Sequence, residues 1–373
     1  MNVFIFNKTK KHCSRWFSSS HPSNQILSVP KLSVPEAIKL SRSNKAVLFD
    51  VRTPEEFSED HIPHSHSLPV LLHDDRKTVG TLYKTNKLEA RHIGASIITK
   101  RISTLLEDPL IKNTSVLKVI YCARGGLRSQ SLASILSLIG YDSAVIDGGY
   151  KSYRNFILQE IEQRPKMYFY HVIGGLTGTR KTKTLECLET KYSEQVLNLE
   201  ELACHRGSVL GGFPLKEQPS QRLFESKIID KLSSFVSTRP VWVEGESQTV
   251  GNLIVPKNLW KSAIDTNAKQ IYDLQSSLED RVDFLYDEYQ SWRTEKQKLK
   301  EVLSTLKKIL NDNSKLIETW HDYIEKEDFK GLIRSLLIHH YDIRYRQSKV
   351  NQIVSTRGVR VKTSDFFAQI GKL

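Results

Sequence analysis

The chain has 373 residues, a formal net charge of +13 and a pI near 9.4, with 39% hydrophobic and 26% charged residues. That is apolar material for two separate cores, and no run of roughly 18 apolar residues is present to suggest a membrane-spanning helix. The four cysteines, Cys13, Cys122, Cys187 and Cys204, form neither a CxxC pair nor a zinc spacing. They argue against a disulfide framework and a structural metal, and for a reducing compartment.

The front of the chain is basic and Ser-rich, with no acid before Glu36. Such a composition predicts a transit peptide over residues 1–30, and Arg15-Trp16-Phe17-Ser18 resembles a mitochondrial processing site. A plastid address and a plain disordered tail are the alternatives. Residues 1–35 hold five cations, Lys8, Lys10, Lys11, Arg15 and Lys31; removing them from +13 leaves +8 for the remainder. A surplus of that size suits a polyanionic partner, because each neutralised phosphate releases condensed counterions. A merely basic enzyme would give the same figure.

In chain order, residues 33–41 read as a short helix with Val34-Pro35-Glu36 near its start. Residues 46–51, 116–121 and 144–146 are short apolar runs, the signature of strands buried on both faces. Helical spacing over 131–139 and the Gly148-Gly149 turn complete an α/β domain expected to span 31–160. Residues 151–164 form a helix and connector, closed by Pro165. A second α/β domain is expected over 165–373. It has strands at 167–173 and 241–244, a Gly-rich turn, and a helix from Lys181. Beyond Asn267 the Leu-, Lys- and Glu-rich chain predicts a helical C-terminal region. Its basic run, Arg293, Lys296, Lys298, Lys300, Lys307 and Lys308, reads as a solvated helix face or as an RNA contact.

Two segments carry chemistry. In Tyr121-Cys122-Ala123-Arg124-Gly125-Gly126-Leu127-Arg128-Ser129 a cysteine leaves a buried strand and enters a loop that opens a helix. Backbone amides, the helix N-terminus and Arg128 would supply positive potential to an anionic sulfur. Arg124, Gly125, Gly126 and Arg128 are the candidate cradle and Cys122 the candidate nucleophile. The Cys-x5-Arg spacing is shared with cysteine phosphatases, and a buried structural cysteine is the plain alternative. In Gly175-Leu176-Thr177-Gly178-Thr179-Arg180-Lys181-Thr182 a strand again leads into a helix, one residue away from GxxxxGK[ST]. Gly175, Thr177, Gly178, Lys181 and Thr182 are candidate phosphate contacts, with Thr182 reaching Mg²⁺ where one binds. Arg180 replaces the last glycine; it either hinders close approach of a phosphate or donates to it. A degenerate structural turn is the third reading. Glu244 ends a strand in a Walker-B-like position where an acid can orient metal or water, or it is an ordinary edge carboxylate. His205 and Arg206 are candidate anion or RNA contacts, or capping and surface groups.

Residues 46–150 resemble a rhodanese domain, through Asp50-Val51-Arg52, Glu55-Glu56-Phe57, His61-Ile62-Pro63, Leu68-Pro69 and Cys122 at the persulfide position. Asp50 and Arg52 are expected to stabilise the strand end. The longer loop with two glycines before Arg128 resembles the tRNA 2-selenouridine synthase family. So do Leu199-Glu200, Leu202-Ala203, His205-Arg206-Gly207-Ser208, Gln218-Pro219-Ser220-Gln221, Phe224-Glu225, 241–244 with Glu246-Ser247 and Gly251, 280–285, and His340-Tyr341-Asp342 with Tyr345. Arg180, Gly245 in place of an acid, and Gln248-Thr249 in place of a basic pair depart from its pattern. The resemblance implies a rhodanese-like parallel-sheet domain followed by a P-loop NTPase-like domain. It implies exchange of sulfur for selenium at the 2-thiouridine wobble base of a tRNA, through a geranylated intermediate. Selenophosphate and geranyl diphosphate would be substrates, with no tightly bound cofactor. Cys122 would carry the chalcogen and the basic surface would hold the anticodon arm; no membrane or protein partner is implied. Two further readings stand beside it: a rhodanese-type sulfurtransferase with a degenerate P-loop domain, and a non-enzymatic RNA-binding scaffold.

Overall fold

The computed structural model describes residues 29–370 except 209, 214–215, 246, 307–313 and 348. The expected transit peptide up to residue 28, its processing site, Cys13, Glu246, Lys307 and Lys308 lie outside the described residues. The chain divides into two compact units, one ending at Phe156 and the other beginning at Ile157.

The first unit is built on β1 (Lys31–Leu32), β2 (Ala46–Asp50), β3 (His66–Ser67), β4 (Leu117–Tyr121) and β5 (Ser143–Ile146), all parallel, in the order β1-β5-β4-β2-β3. The central strands are buried on both faces, which is why they read as unbroken apolar runs. Phe49, Val51, Ile120, Leu132, Leu136 and Val145 form the core between sheet and helices. The helix Val34–Arg42 starts where expected, because Ser33 and Glu36 close a capping box with Pro35 in the first turn. Thr53 and Glu56 do the same for Pro54–Glu59. Between β3 and β4 the chain forms two long helices, His73–Thr85 and Lys87–Leu105, joined at Asn86, and a short one, Pro109–Lys112. The sequence reading assigned no element there.

The second unit contains β6 (Tyr170–Gly175), β7 (Gln195–Leu197), β8 (Val241–Glu244), a small antiparallel pair β9 (Thr249–Val250) and β10 (Leu253–Ile254), then β11 (Ala268–Gln275) and β12 (Val359–Lys362). Its main sheet is parallel in the order β12-β11-β6-β8-β7. The chain passes to one side of β6 and later to the other, so the strand order reverses at β6. The carboxyl end of such a strand is where open α/β sheets hold ligands.

β11 corrects the expectation of helix from Asn267 onward. It pairs with β6 on one side and β12 on the other. Only Ile271–Leu274 is fully buried, and Lys269, Gln270, Asp273 and Gln275 disguise the run as part of the polar helical stretch that follows. Helices do fill most of 278–357. Trp292, Leu299, Leu303, Trp320, Ile324 and Leu332 give them a core of their own. Within that bundle Lys296 pairs with Glu327 and Lys300 with Glu325. These two cations are neutralised locally, which favours a solvated face over an RNA contact. Among the described residues no helix is long and apolar enough to cross a membrane.

Candidate functional site

Each unit places one Gly-containing loop at the carboxyl end of a central strand. In the first, β4 delivers Cys122, and the chain turns at Gly126 into the helix Leu127–Leu138. Gly125 takes φ +64° and Gly149 φ +59°, backbone conformations that favour glycine. Gly149 lies directly under the loop: a Cβ there would sit 2.2 Å from the Cys122 carbonyl oxygen. Tyr150 and Lys151 amides donate to the carbonyls of Cys122 and Ala123 at 2.8 and 3.0 Å, tying the loop to the turn after β5.

Cys122 is only 3% exposed. Its Sγ accepts from the Gly126 amide at 3.2 Å and from the Ser129 hydroxyl at 3.2 Å. These two donors, with the N-terminus of a twelve-residue helix, form an anion cradle around the sulfur. Ser129 stands one turn into that helix; the sequence reading quoted it in the loop but gave it no role. Arg128 is engaged elsewhere: its Nη1 donates to Glu56 Oε2 at 2.9 Å, and Arg76 Nε lies 3.3 Å from the same oxygen. Burial pushes the Glu56 carboxyl up, but Arg128, the Thr53 amide and Arg76 outweigh it and hold the group below its usual range. Arg128 thus braces the loop's helix, while Arg124 is exposed.

Asp50 and Arg52 stabilise the neighbouring strand end, as expected. Arg52 forms a bidentate pair with Asp50, at 2.6 Å for Nη2, and also donates to the Asp60 carbonyl. Its guanidinium lies over the Tyr150 ring at 3.9 Å, and Tyr150 donates to Asp60 at 2.8 Å. Largely buried and tied together by charge-assisted hydrogen bonds, this network is scaffold rather than chemistry.

In the second unit β6 runs into Gly175 and the helix Lys181–Tyr192 begins at Arg180. Gly175 (φ +135°) has no room for a side chain, since a Cβ would meet the Leu274 carbonyl at 2.7 Å. Arg180 keeps the left-handed conformation of the glycine it replaces, at φ 65°, ψ 29°. Its guanidinium lies 5.1 Å from the centre of the Phe284 ring. Lys181 Nζ folds back to the Gly175 carbonyl at 3.0 Å. Thr182 donates to Glu200 Oε2 at 2.8 Å.

Glu244 ends β8, as its strand-end position predicts. It is buried, and its Oε2 accepts from the amides of Leu199 and Glu200 at 3.1 and 3.4 Å, so it holds the start of the short helix Leu199–Leu202. Glu200 is the acid that faces Thr182. A Mg²⁺ bridging a diphosphate takes most ligands from phosphate and water, so one hydroxyl and one carboxylate are a fitting protein donor set. Gly245 packs where a Cβ would meet Val172 at 3.2 Å and Val354 at 3.3 Å. Val354, fully buried, also lies against Gly174, so a side chain at 245 would require these neighbours to give by a few tenths of an ångström.

The loop borders a cavity of about 790 Å³ that gathers Thr177, Gly178, Lys181 and Thr182 with His205 and Arg206. Arg180, Lys216 and Arg344 add cations to its walls, and Phe213, Phe284, Tyr289 and Tyr341 add aromatic surface. Arg206 lies between the rings of Phe213 and Tyr289, at 4.2 and 5.1 Å, and its Nη2 donates to the Glu288 carbonyl at 3.2 Å. His205 Nδ1 accepts from the Gly207 amide at 3.1 Å; burial, then Arg206, push its pKa down. His340, unassigned in the sequence reading beyond its motif, is 2% exposed and lies in the wall with no hydrogen-bond partner for Nδ1. Burial, then Arg344, push it down to about 4, so it is neutral at pH 7. Cys122, Cys187 and Cys204 are free, and no cluster of three or more metal-ligating side chains occurs among the described residues.

A family model described as the tRNA 2-selenouridine synthase AAA domain matches residues 169–370, and a rhodanese-like domain model matches residues 33–156. The tRNA 2-selenouridine synthase of Nitrosomonas europaea is 33% identical over 251 residues, 65% of this chain and 63% of the relative. That of Psychromonas ingrahamii is 32% identical over 255 residues, covering 68% and 67%. That of Aeromonas salmonicida is 29% identical over 353 residues, covering 86% of this chain and 93% of the relative. The matched part of the chain thus spans just under two thirds of the Nitrosomonas europaea relative's length.

Proposed function

Because the chain belongs to the tRNA 2-selenouridine synthase family, we propose that it modifies the wobble uridine of tRNA, replacing the sulfur of 2-thiouridine by selenium. The observation that carries this reading is the buried Cys122 sulfur, held by the Gly126 amide and the Ser129 hydroxyl at a helix N-terminus. Such a cradle stabilises a sulfur-bound anion and suits chalcogen transfer. In this proposal Cys122 carries the chalcogen: its thiolate attacks the selenium of selenophosphate, an S–Se bond forms, the Se–P bond breaks and phosphite leaves with the electron pair.

The P-loop unit has a different task. Lys181, Thr182 and the loop amides would hold the diphosphate of geranyl diphosphate, with Arg180 as a further donor; Thr182 and Glu200 are the residues that would hold a Mg²⁺, which would offset the charge of the leaving diphosphate. The thio-uridine sulfur attacks the geranyl carbon: a C–S bond forms, a C–O bond breaks, and diphosphate leaves. The terminal selenium on Cys122 then adds at C2 of the base, a C–Se bond forms and the geranyl thiolate departs; a second thiol attacks the Cys122 sulfur, the S–Se bond breaks, and 2-selenouridine is released with a disulfide left at Cys122 for a further thiol to reduce. Alkylation makes the sulfur a better leaving group, and a diphosphate donor gives the loop a purpose without ATP hydrolysis. The cationic and aromatic walls of the cavity are compatible with such a ligand. From the composition of residues 1–30 we place the enzyme in an organelle, the mitochondrion before the plastid.

Mass spectrometry of nucleosides from organellar tRNA, with and without the gene, in cells supplied with selenium, tests the proposal. Loss of 2-selenouridine or geranyl-thiouridine on deletion is the expected result. An unchanged profile, together with thiosulfate:cyanide activity, would favour a sulfurtransferase with a retired P-loop unit.

A further inference from the structure

The helix His73–Thr85 has no buried residue, although it is thirteen residues long. Its half-buried side chains are Asp75, Val79 and Leu82, at i, i+4 and i+7, a single stripe that leans on the second helix of the pair. Val79 packs over Gly94, and Asp75 pairs with Arg101 at 3.4 Å. Lys77, Gly80 and Lys84 stand opposite that stripe, with Arg76 and Tyr83 on one flank and Asp74 on the other.

Three further observations point to what this face meets. Residues 73–105 hold seven lysines and arginines against three acids, a surplus of four. That is half of the +8 that remains once the five cations of residues 1–35 are set aside from the net +13. Gly80 sits at the middle of the face with nothing within 4 Å of where a Cβ would be, and a helix-interior glycine costs stability, so the face is open to close approach there. Tyr83 is 42% exposed beside it, an aromatic ring among cations. The foot of the helix is also tied to the cysteine loop, since Arg76 and Arg128 share the Glu56 carboxylate. Lys77 and Lys84 lie about 10 Å apart along the axis, at 1.5 Å per residue, a span of one to two backbone phosphates.

We infer that this face, running outward from the cysteine loop, is where the phosphate backbone of the tRNA lies. The inference rests on the tRNA reading above and adds a location to it. With Arg76 paired to Glu56 and Asp74 on the far flank, the cations available to a phosphate are Lys77 and Lys84, which stand on either side of a bare backbone position.

The test is binding of full-length protein to a transcribed tRNA by fluorescence anisotropy across a salt series. Lys77→Glu with Lys84→Glu is expected to weaken binding more than tenfold and to flatten the logarithmic salt slope by about 1.5 to 2. Gly80→Glu, which meets no neighbour, is expected to act in the same direction. Lys296→Glu with Lys300→Glu, the same formal change on locally paired lysines, is expected to stay within twofold of wild type. Should the Lys77/Lys84 reversal unfold the protein, Lys77→Gln with Lys84→Gln takes its place, with a smaller loss and the same flattening. Failure of the wild type itself to bind tRNA would sink the tRNA reading and the inference together. Normal wild-type binding that the face variants leave untouched would overturn the inference alone. Equal losses from both lysine pairs would overturn it too, by showing general electrostatics. A change in sedimentation without a change in tRNA affinity would show the face to be a contact between copies.

Discussion

In the first unit the backbone around the reactive loop turns left-handed at Gly125, Gly148 and Gly149, glycine each time. In the second, the corresponding turn into the helix is made by Arg180 at φ 65°. The cysteine loop closes on an atom of its own chain: the Gly126 amide is aimed at Sγ and Gly149 leaves little space beneath it. The P-loop must leave room for an anion from outside, and it opens on a cavity of about 790 Å³. A strained arginine can be tolerated at such an open rim, whereas a side chain under the cysteine loop would collide with the backbone. Two loops of similar placement therefore differ in what they can accept.

Substitutions can break or sharpen this contrast. The largest effect is expected from Gly149→Ala, where positive φ and a 2.2 Å approach to the Cys122 carbonyl combine. A loss of about 3 kcal/mol in urea unfolding is predicted, whereas Gly126→Ala, with nothing within 4 Å, should cost less than about 1 kcal/mol. Equal costs at the two sites would mean that the loop is not closely packed.

Glu56→Gln comes next, with an expected loss of about 2 kcal/mol because Arg128 and Arg76 lose a shared, mostly buried partner. The Glu56 pKa is lower in the folded state, so its stabilisation is present above the ordinary carboxylate value. It disappears as pH falls through the depressed one. Unfolding curves of the variant should therefore converge with wild type in acid.

His340 titrates in the other unit and in the same sense, losing stability as pH falls. Its folded value of about 4 lies below the ordinary 6.5, so the unfolded chain takes the proton first as pH falls. Stability should drop by about 1–2 kcal/mol between pH 7 and pH 5, and His340→Gln should flatten that slope. A slope unchanged by the substitution would remove His340 from the account.

The smallest effect is expected at Arg180. Arg180→Gly should raise stability by about 1 kcal/mol through relief of the left-handed conformation. It should also weaken pyrophosphate binding, read as a smaller thermal shift on adding pyrophosphate. If binding strengthens instead, the guanidinium hinders the anion rather than donating to it.

Much of the framework was legible in the sequence because parallel strands buried on both faces leave continuous apolar runs, as at 46–50 and 117–121. The capping pairs Ser33–Glu36 and Thr53–Glu56 mark helix starts equally plainly. β11 was not legible, since only four of its residues are buried and polar ones surround them. The helices at 73–105 were missed for a related reason: the first buries nothing and so shows no strong apolar period. At the site, the cysteine and its glycines were readable from spacing. The bracing of Arg128 by Glu56 was not, because the partners are 72 residues apart. That Glu244 accepts from the Leu199 and Glu200 amides while Glu200 accepts from Thr182 depends on contacts across the fold, which strand position alone does not reveal.

The central claim is that Cys122 carries the chalcogen to a 2-thiouridine tRNA. Its most direct test is in vitro conversion of such a tRNA with selenophosphate and geranyl diphosphate, comparing wild type with Cys122→Ser by nucleoside mass spectrometry. The account predicts 2-selenouridine from the wild type and none above background from Cys122→Ser, with the geranylated intermediate accumulating. Equal yields of 2-selenouridine from both proteins would contradict it.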